Sequence, residues 1–80
     1  MSKTALGIVE LLSIPKGVEA GDAMLKAAPV ELVTARTVCP GKYIVVIIGE
    51  VDAVSASVDA GKQVAGMKLI DSLIIPSIHS

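Results

Sequence analysis

The sequence predicts a small α/β (α+β) two-layer sandwich with the element order β-α-β-β-α-β. Three observations carry this. Four stretches rich in Val, Ile, Leu and Thr, at 5–12, 30–38, 43–49 and 69–75, have the length and composition of strands. Two longer stretches, at about 14–28 and 51–67, repeat small or apolar residues at steps of three and four, the period of a helix face. The only direct strand-to-strand connection is Cys39-Pro40-Gly41-Lys42, so two βαβ halves are joined by one turn that protrudes from an edge of the domain.

Each element has its own reason. Ala5 to Leu12 is an apolar strand interrupted by Glu10. Ser13 then offers a capping hydroxyl, and Pro15 suits the first turn of the helix that follows. In that helix Ile14, Val18, Gly21, Leu25 and Ala28 form the expected buried stripe, with Lys16, Glu19, Asp22 and Lys26 opposite. Gly17 and Gly21 each cost about 1 kcal/mol against Ala in a helix interior. With Ala20, Ala23 and Ala27 they make a slim helix that other backbone can approach closely. Pro29 ends it. Val30 to Val38 is the second strand. Tyr43 to Gly49 is the third, and its unbroken aliphatic run predicts a central strand buried on both faces. In the second helix Val51, Val54, Val58, Gly61 and Val64 or Ala65 form the buried stripe, with Asp52, Ser55, Asp59 and Lys62 in water. Leu69 to Ile75 is the last strand, closed by Pro76.

Eighty residues make one domain, here 1–80, and a chain this short buries only about 60% of its unfolded surface. It has one cysteine, Cys39, no Trp or Phe, and a single aromatic residue, Tyr43. Yet 52% of its residues are hydrophobic, and its mean hydropathy is +0.73. That apolar excess needs a destination. A membrane is a poor one, because the longest aliphatic run, Ile44 to Ile48, falls far short of the roughly 20 residues a span requires. The N-terminal stretch also lacks the basic–apolar–small order of a signal peptide. Interfaces between copies are the better destination. A net charge of −1, with scattered basic residues and no interleaved aromatics, gives no footprint for nucleic acid. A lone cysteine without a secretion signal points to the cytoplasm.

Catalytic chemistry is not visible. The single histidine, His79, is next to last and has no serine or cysteine partner nearby in sequence. Glu10, Asp22, Glu31, Glu50, Asp59 and Asp71 are spread along the chain, and no phosphate-binding loop occurs. The chain is therefore expected not to be an enzyme. Free cysteines usually sit buried as small hydrophobes, and Cys39 can be read so, but it opens a Pro-Gly turn, and turns run over surfaces. One thiolate cannot hold a metal cluster, but three or six around a symmetry axis can. Read on its own, Lys26 is a solvated helix residue paired with Asp22 at i,i+4, worth a few tenths of a kcal/mol.

Several segments together resemble a known family. Ala5-Leu6-Gly7-Ile8-Val9-Glu10, the helix Glu19 to Ala28 with its Asp22-Ala23-Met24-Leu25-Lys26-Ala27-Ala28 run, Gly49 to Val54, and Ile75-Pro76 followed by His79 are similar to the bacterial microcompartment shell-protein domain. The resemblance covers essentially the whole chain. It implies a structural shell tile: domains that form cyclic hexamers, or trimers of tandem two-domain chains, and tile with other shell proteins around encapsulated enzymes. It implies that Cys39, Pro40, Gly41 and Lys42 line a central pore passing small metabolites, and that Lys26 lies on the rim where tiles meet. Thr37 to Tyr43, Ala20-Gly21-Asp22 and Asp71-Ser72-Leu73 look like the first half of the tandem-domain members of propanediol-utilisation compartments. There the matching cysteine, from three chains, binds a 4Fe–4S cluster, which implies Cys39 as the metal ligand here. Single-domain members usually end Ile-Pro-Arg-Pro-His, whereas this chain reads Ile75-Pro76-Ser77-Ile78-His79. The missing arginine fits the first half of a tandem chain, and a natural single-domain form stays open beside it. The rival reading is a small-molecule regulatory module of ferredoxin-like β-α-β-β-α-β topology. Its ligand loop would be Ser13-Ile14-Pro15-Lys16-Gly17, which is short and poor in ligand groups.

Overall fold

The computed structural model describes residues 4–76; the expectations for His79 and for Ser77 fall outside them. The order is β1 (Thr4–Leu11), α1 (Ile14–Ala27), β2 (Glu31–Cys39), β3 (Lys42–Glu50), α2 (Val51–Ala65) and β4 (Leu69–Ile75). The strands form one antiparallel sheet in the order β2-β3-β1-β4. Each helical crossover therefore skips one strand, and the inserted strand runs the opposite way. Both helices lie on the same face of the sheet. This is the two-layer α+β sandwich the sequence predicts.

Local chemistry sets the boundaries. Ser13 is itself still extended, and its hydroxyl accepts from the Lys16 amide at 3.1 Å, so it caps α1, which starts at Ile14, and Leu12 falls in the connection. The Leu12 amide donates to the Lys68 carbonyl at 2.8 Å, tying that turn to the start of β4. The second helix stops at Ala65, two residues before its expected end. Gly66 adopts a positive φ of 54° and a short 3-10 turn, Gly66–Lys68, leads into β4.

The buried residues of β1 alternate along the strand: Ala5, Gly7, Val9 and Leu11 face the helices. Val45 and Ile47 of β3 join them, with Met24 of α1 and Val54 and Val58 of α2. Each large side chain fully buried here contributes about 1.5–3 kcal/mol. The only buried polar side chain among the described residues, Ser57, donates to the Met24 carbonyl at 2.8 Å and pins α2 to α1.

Two expectations need correction. The buried face of α1 is not Ile14, Val18 and Leu25, which are exposed, but Gly17, Ala20, Gly21 and Met24. Small residues let the helix axis approach the sheet, with Gly17 against Tyr43 and Gly21 against Val45. The larger aliphatics are turned aside, where they cover nothing. Likewise β3 is interior to the sheet but buried on one face only. Ile44, Val46 and Ile48 are half-buried, because no element among the described residues covers the other side.

Candidate functional site

The β2–β3 connection is a two-residue hairpin loop, Pro40-Gly41, flanked by the paired residues Cys39 and Lys42. Pro fixes its own φ for the first corner, and Gly41 takes the second with φ +81°, a conformation that favours glycine. A Pro-Gly loop of this kind twists against the strands it joins. The ladder absorbs the mismatch with a register shift between Thr37 and Cys39. The result is a tip that carries Cys39, Pro40 and Gly41 in solvent and Lys42 half-exposed. The structure thus brings the four expected pore residues together at one end of the domain, with Cys39 a free, exposed thiol.

Lys26 sits near the far end of α1. The α1 helix begins beside the tip, since β1 ends at Leu11 opposite Tyr43, and its 14 residues carry the chain back roughly 20 Å. Lys26 is highly exposed and pairs with Asp22 at 2.9 Å, as i,i+4 spacing allows. Lys26 therefore lies roughly one length of α1 away from the hairpin tip.

The uncovered face of the sheet was not visible in the sequence. Its cross-strand rows read Arg36–Ile44–Glu10–Asp71, then Thr34–Val46–Ile8–Leu73, then Glu31–Ile48–Leu6–Ile75. Two carboxylates that sequence spacing scatters, Glu10 and Asp71, are direct cross-strand neighbours. They border a hollow of about 180 Å³ with Ile8, Ser72 and Leu73. The signal that would have found them is the β1–β4 register, unbroken from Leu6–Ile75 to Glu10–Asp71, which composition does not announce. Among the described residues no group of three or more His, Cys, Asp or Glu side chains gathers to hold a metal within one chain. No helix among them is long and apolar enough to cross a membrane.

The fold and the placement of hairpin and Lys26 can be set beside known proteins. A family model for the BMC domain matches residues 5–78. The chain belongs to the BMC domain family. Among curated relatives, the bacterial microcompartment shell protein PduT of Citrobacter freundii is 51% identical over 76 residues, covering 95% of this chain and 41% of PduT. The carboxysome shell protein CcmK2 of Synechococcus elongatus is 43% identical over 79 residues, covering 94% of this chain and 78% of that protein. The crystal structure of a microcompartment protein from Desulfitobacterium hafniense superposes with a TM-score of 0.94 at 54% identity, over 95% of this BMC domain and 42% of that chain. This BMC domain thus spans about two fifths of the length of PduT and of the Desulfitobacterium protein.

Proposed function

We propose that this chain is a structural tile of a bacterial microcompartment shell, assembling with copies of itself into a ring of six domains and, beside other shell proteins, into sheets. The observation that carries the reading is the apolar surface the fold leaves uncovered. Leu73 and Ile75 on the open sheet face, Ile14, Val18 and Leu25 on α1, and Leu32 and Val33 on β2 are all exposed. An 80-residue chain with so much uncovered aliphatic surface is fitted to be covered by neighbours. The shell proteins PduT and CcmK2, which match nearly the whole chain, support the same role. The role is structural rather than catalytic, and its place is the shell of a cytoplasmic compartment. In the ring the hairpin tips point inward, so that Cys39, Pro40, Gly41 and Lys42 line a central pore. Lys26 lies outward, on the rim where tiles meet. Light scattering across a dilution series tests the ring: a six-domain mass is expected at micromolar concentration, and a stable monomer overturns the reading.

The pore reading extends to an iron–sulfur cluster shared through Cys39. The donor set fits this group in kind: each chain brings one exposed thiol at a tip, so a ring of six copies presents six, and a ring of three tandem chains that each carry this domain once presents three. When bound, such a cluster supplies one-electron redox chemistry. The chain's own part is to hold the thiol: the Pro40-Gly41 turn fixes the backbone beside Cys39, and Lys42, its cross-strand partner, sets a cation next to an anionic site. Anaerobic reconstitution with iron and sulfide should yield a brown protein with stoichiometric iron, and Cys39→Ser should abolish uptake. Equal uptake by the serine variant overturns the cluster and leaves the tile intact.

A further inference from the structure

We infer that the open sheet face is covered by a second copy of this chain, with Arg36 of one copy seated against the Glu10–Asp71 pair of the next. The inference rests on the ring reading and names the surface through which neighbours in the ring meet.

The face is built to be covered. Both helices lie on the opposite side, so Leu6, Ile8, Val46 and Ile48 stay half-buried while Leu73 and Ile75 are 50% and 38% exposed. Its charges are unbalanced in a particular way. Glu10 and Asp71 face each other across β1 and β4, a like-charge pairing that destabilises an isolated sheet. The two ion pairs formed among the described residues, Lys16–Glu19 and Lys26–Asp22, leave both carboxylates without a cation and Arg36 without an anion. All three lie in one cross-strand row, Arg36 on the edge strand β2 and Asp71 on the edge strand β4. Within one copy Arg36 lies two strand spacings, roughly 10 Å, from Glu10 and three, roughly 14 Å, from Asp71.

Symmetry brings them together. Rotation about a ring axis keeps every atom at its own distance from that axis, so contacting groups of adjacent copies lie at nearly equal radius. With hairpin tips inward and strands running outward, residues of one row share a radius. The β2 margin of one copy then presents Arg36 level with the Glu10–Asp71 hollow of its neighbour. Such a contact joins two different margins, the heterologous kind that closes into rings. A planar guanidinium with several N–H donors suits a hollow bordered by two carboxylates. The matching charge in the matching row selects a second copy of this chain as the occupant over an unrelated basic peptide.

The test uses two complementary chains: Arg36→Glu alone, and Glu10→Lys with Asp71→Lys. Each alone is expected to raise the concentration at which the oligomer dissociates by roughly tenfold or more, because like charges then meet at every contact. An equimolar mixture of the two restores opposite charges at each contact and should reassemble to the wild-type mass. Far-UV circular dichroism checks that each variant is folded. If one is not, the neutralising Arg36→Gln and Asp71→Asn are read in the same dilution series as a double-mutant cycle, with a coupling expected. Variants that assemble like wild type, a mixture no better than its components, or a cycle without coupling overturn this contact while the ring reading stands. A wild-type chain that stays monomeric overturns both.

Discussion

The glycines of α1 allow a test of how the hairpin is positioned. Gly17 and Gly21 lie one turn apart on the buried face of the same helix, so Gly→Ala carries the same intrinsic helix gain at both, about 1 kcal/mol. Their surroundings differ. A Cβ at Gly21 would meet the Val45 methyl carbons at 3.5 and 3.8 Å, ordinary contact distances. A Cβ at Gly17 would collide with Tyr43, at its Cβ and at the root of its ring. Those atoms cannot swing away as a side-chain tip can. Only a shift of β3, which begins at Lys42 beside the turn, makes room. Overpacking of this kind costs about 1–3 kcal/mol, and the upper part of that range applies where the obstacle is fixed.

The net expectation is therefore opposite in sign at the two positions. Gly21→Ala should stabilise the domain by about 0.5–1 kcal/mol, and Gly17→Ala should destabilise it by about 1–2 kcal/mol. For a chain of this size 1 kcal/mol moves Tm by about 4–8 °C. Thermal and urea denaturation followed by far-UV circular dichroism reads both, at one fixed protein concentration because assembly also stabilises. A Gly17→Ala protein as stable as wild type would refute the argument that close approach at Tyr43 seats the start of β3.

Other expectations follow from single contacts. Ser57→Ala removes the buried donor to the Met24 carbonyl and should cost about 1–2 kcal/mol in the same denaturation assay. Gly41→Ala meets no nearer atom than Leu12 Cδ1 at 3.9 Å, so its cost, about 1 kcal/mol, comes from the left-handed φ alone. Lys26→Ala should leave stability and ring mass nearly unchanged, since its exposed pair with Asp22 is worth at most a few tenths of a kcal/mol, and on the proposed rim role should impair sheet formation as followed by electron microscopy.

The elements were legible in the sequence because their signals are local. Ser13 and Pro15 mark the start of α1, Pro29 its end, and Pro40-Gly41 the hairpin, each through backbone chemistry that needs no distant partner. Facing was less legible. Ranking residues by hydrophobicity puts Ile14, Val18 and Leu25 inside beside Gly21, whereas packing keeps Gly21 and adds Gly17, Ala20 and Met24, because the decisive quantity is distance of approach. The continuous aliphatic run of β3 reads as burial on both faces, and in the isolated chain one of those faces is open. The adjacency of Glu10 and Asp71, 61 positions apart in the chain, depends on strand order and register, which no local window contains.

The site chemistry and the fold are separable at Cys39, and this makes the cluster experiment clean. Cys39 is exposed at the end of β2, outside the core cluster, and its structural contribution is the backbone pairing with Lys42. Serine keeps that pairing, is close in volume and fills the same solvent-facing position, so Cys39→Ser should change the stability of the metal-free protein by no more than about 0.5 kcal/mol. On the ring proposed above, ring mass should be equally unaffected, because the exposed large aliphatics lie outside the Cys39–Lys42 tip. Iron uptake, by contrast, should be lost. Denaturation, light scattering and iron content measured on one serine preparation therefore distinguish a ligand from a packing residue. A variant that loses iron together with stability or ring mass would make Cys39 part of the framework. Loss of iron alone assigns the thiol to the metal.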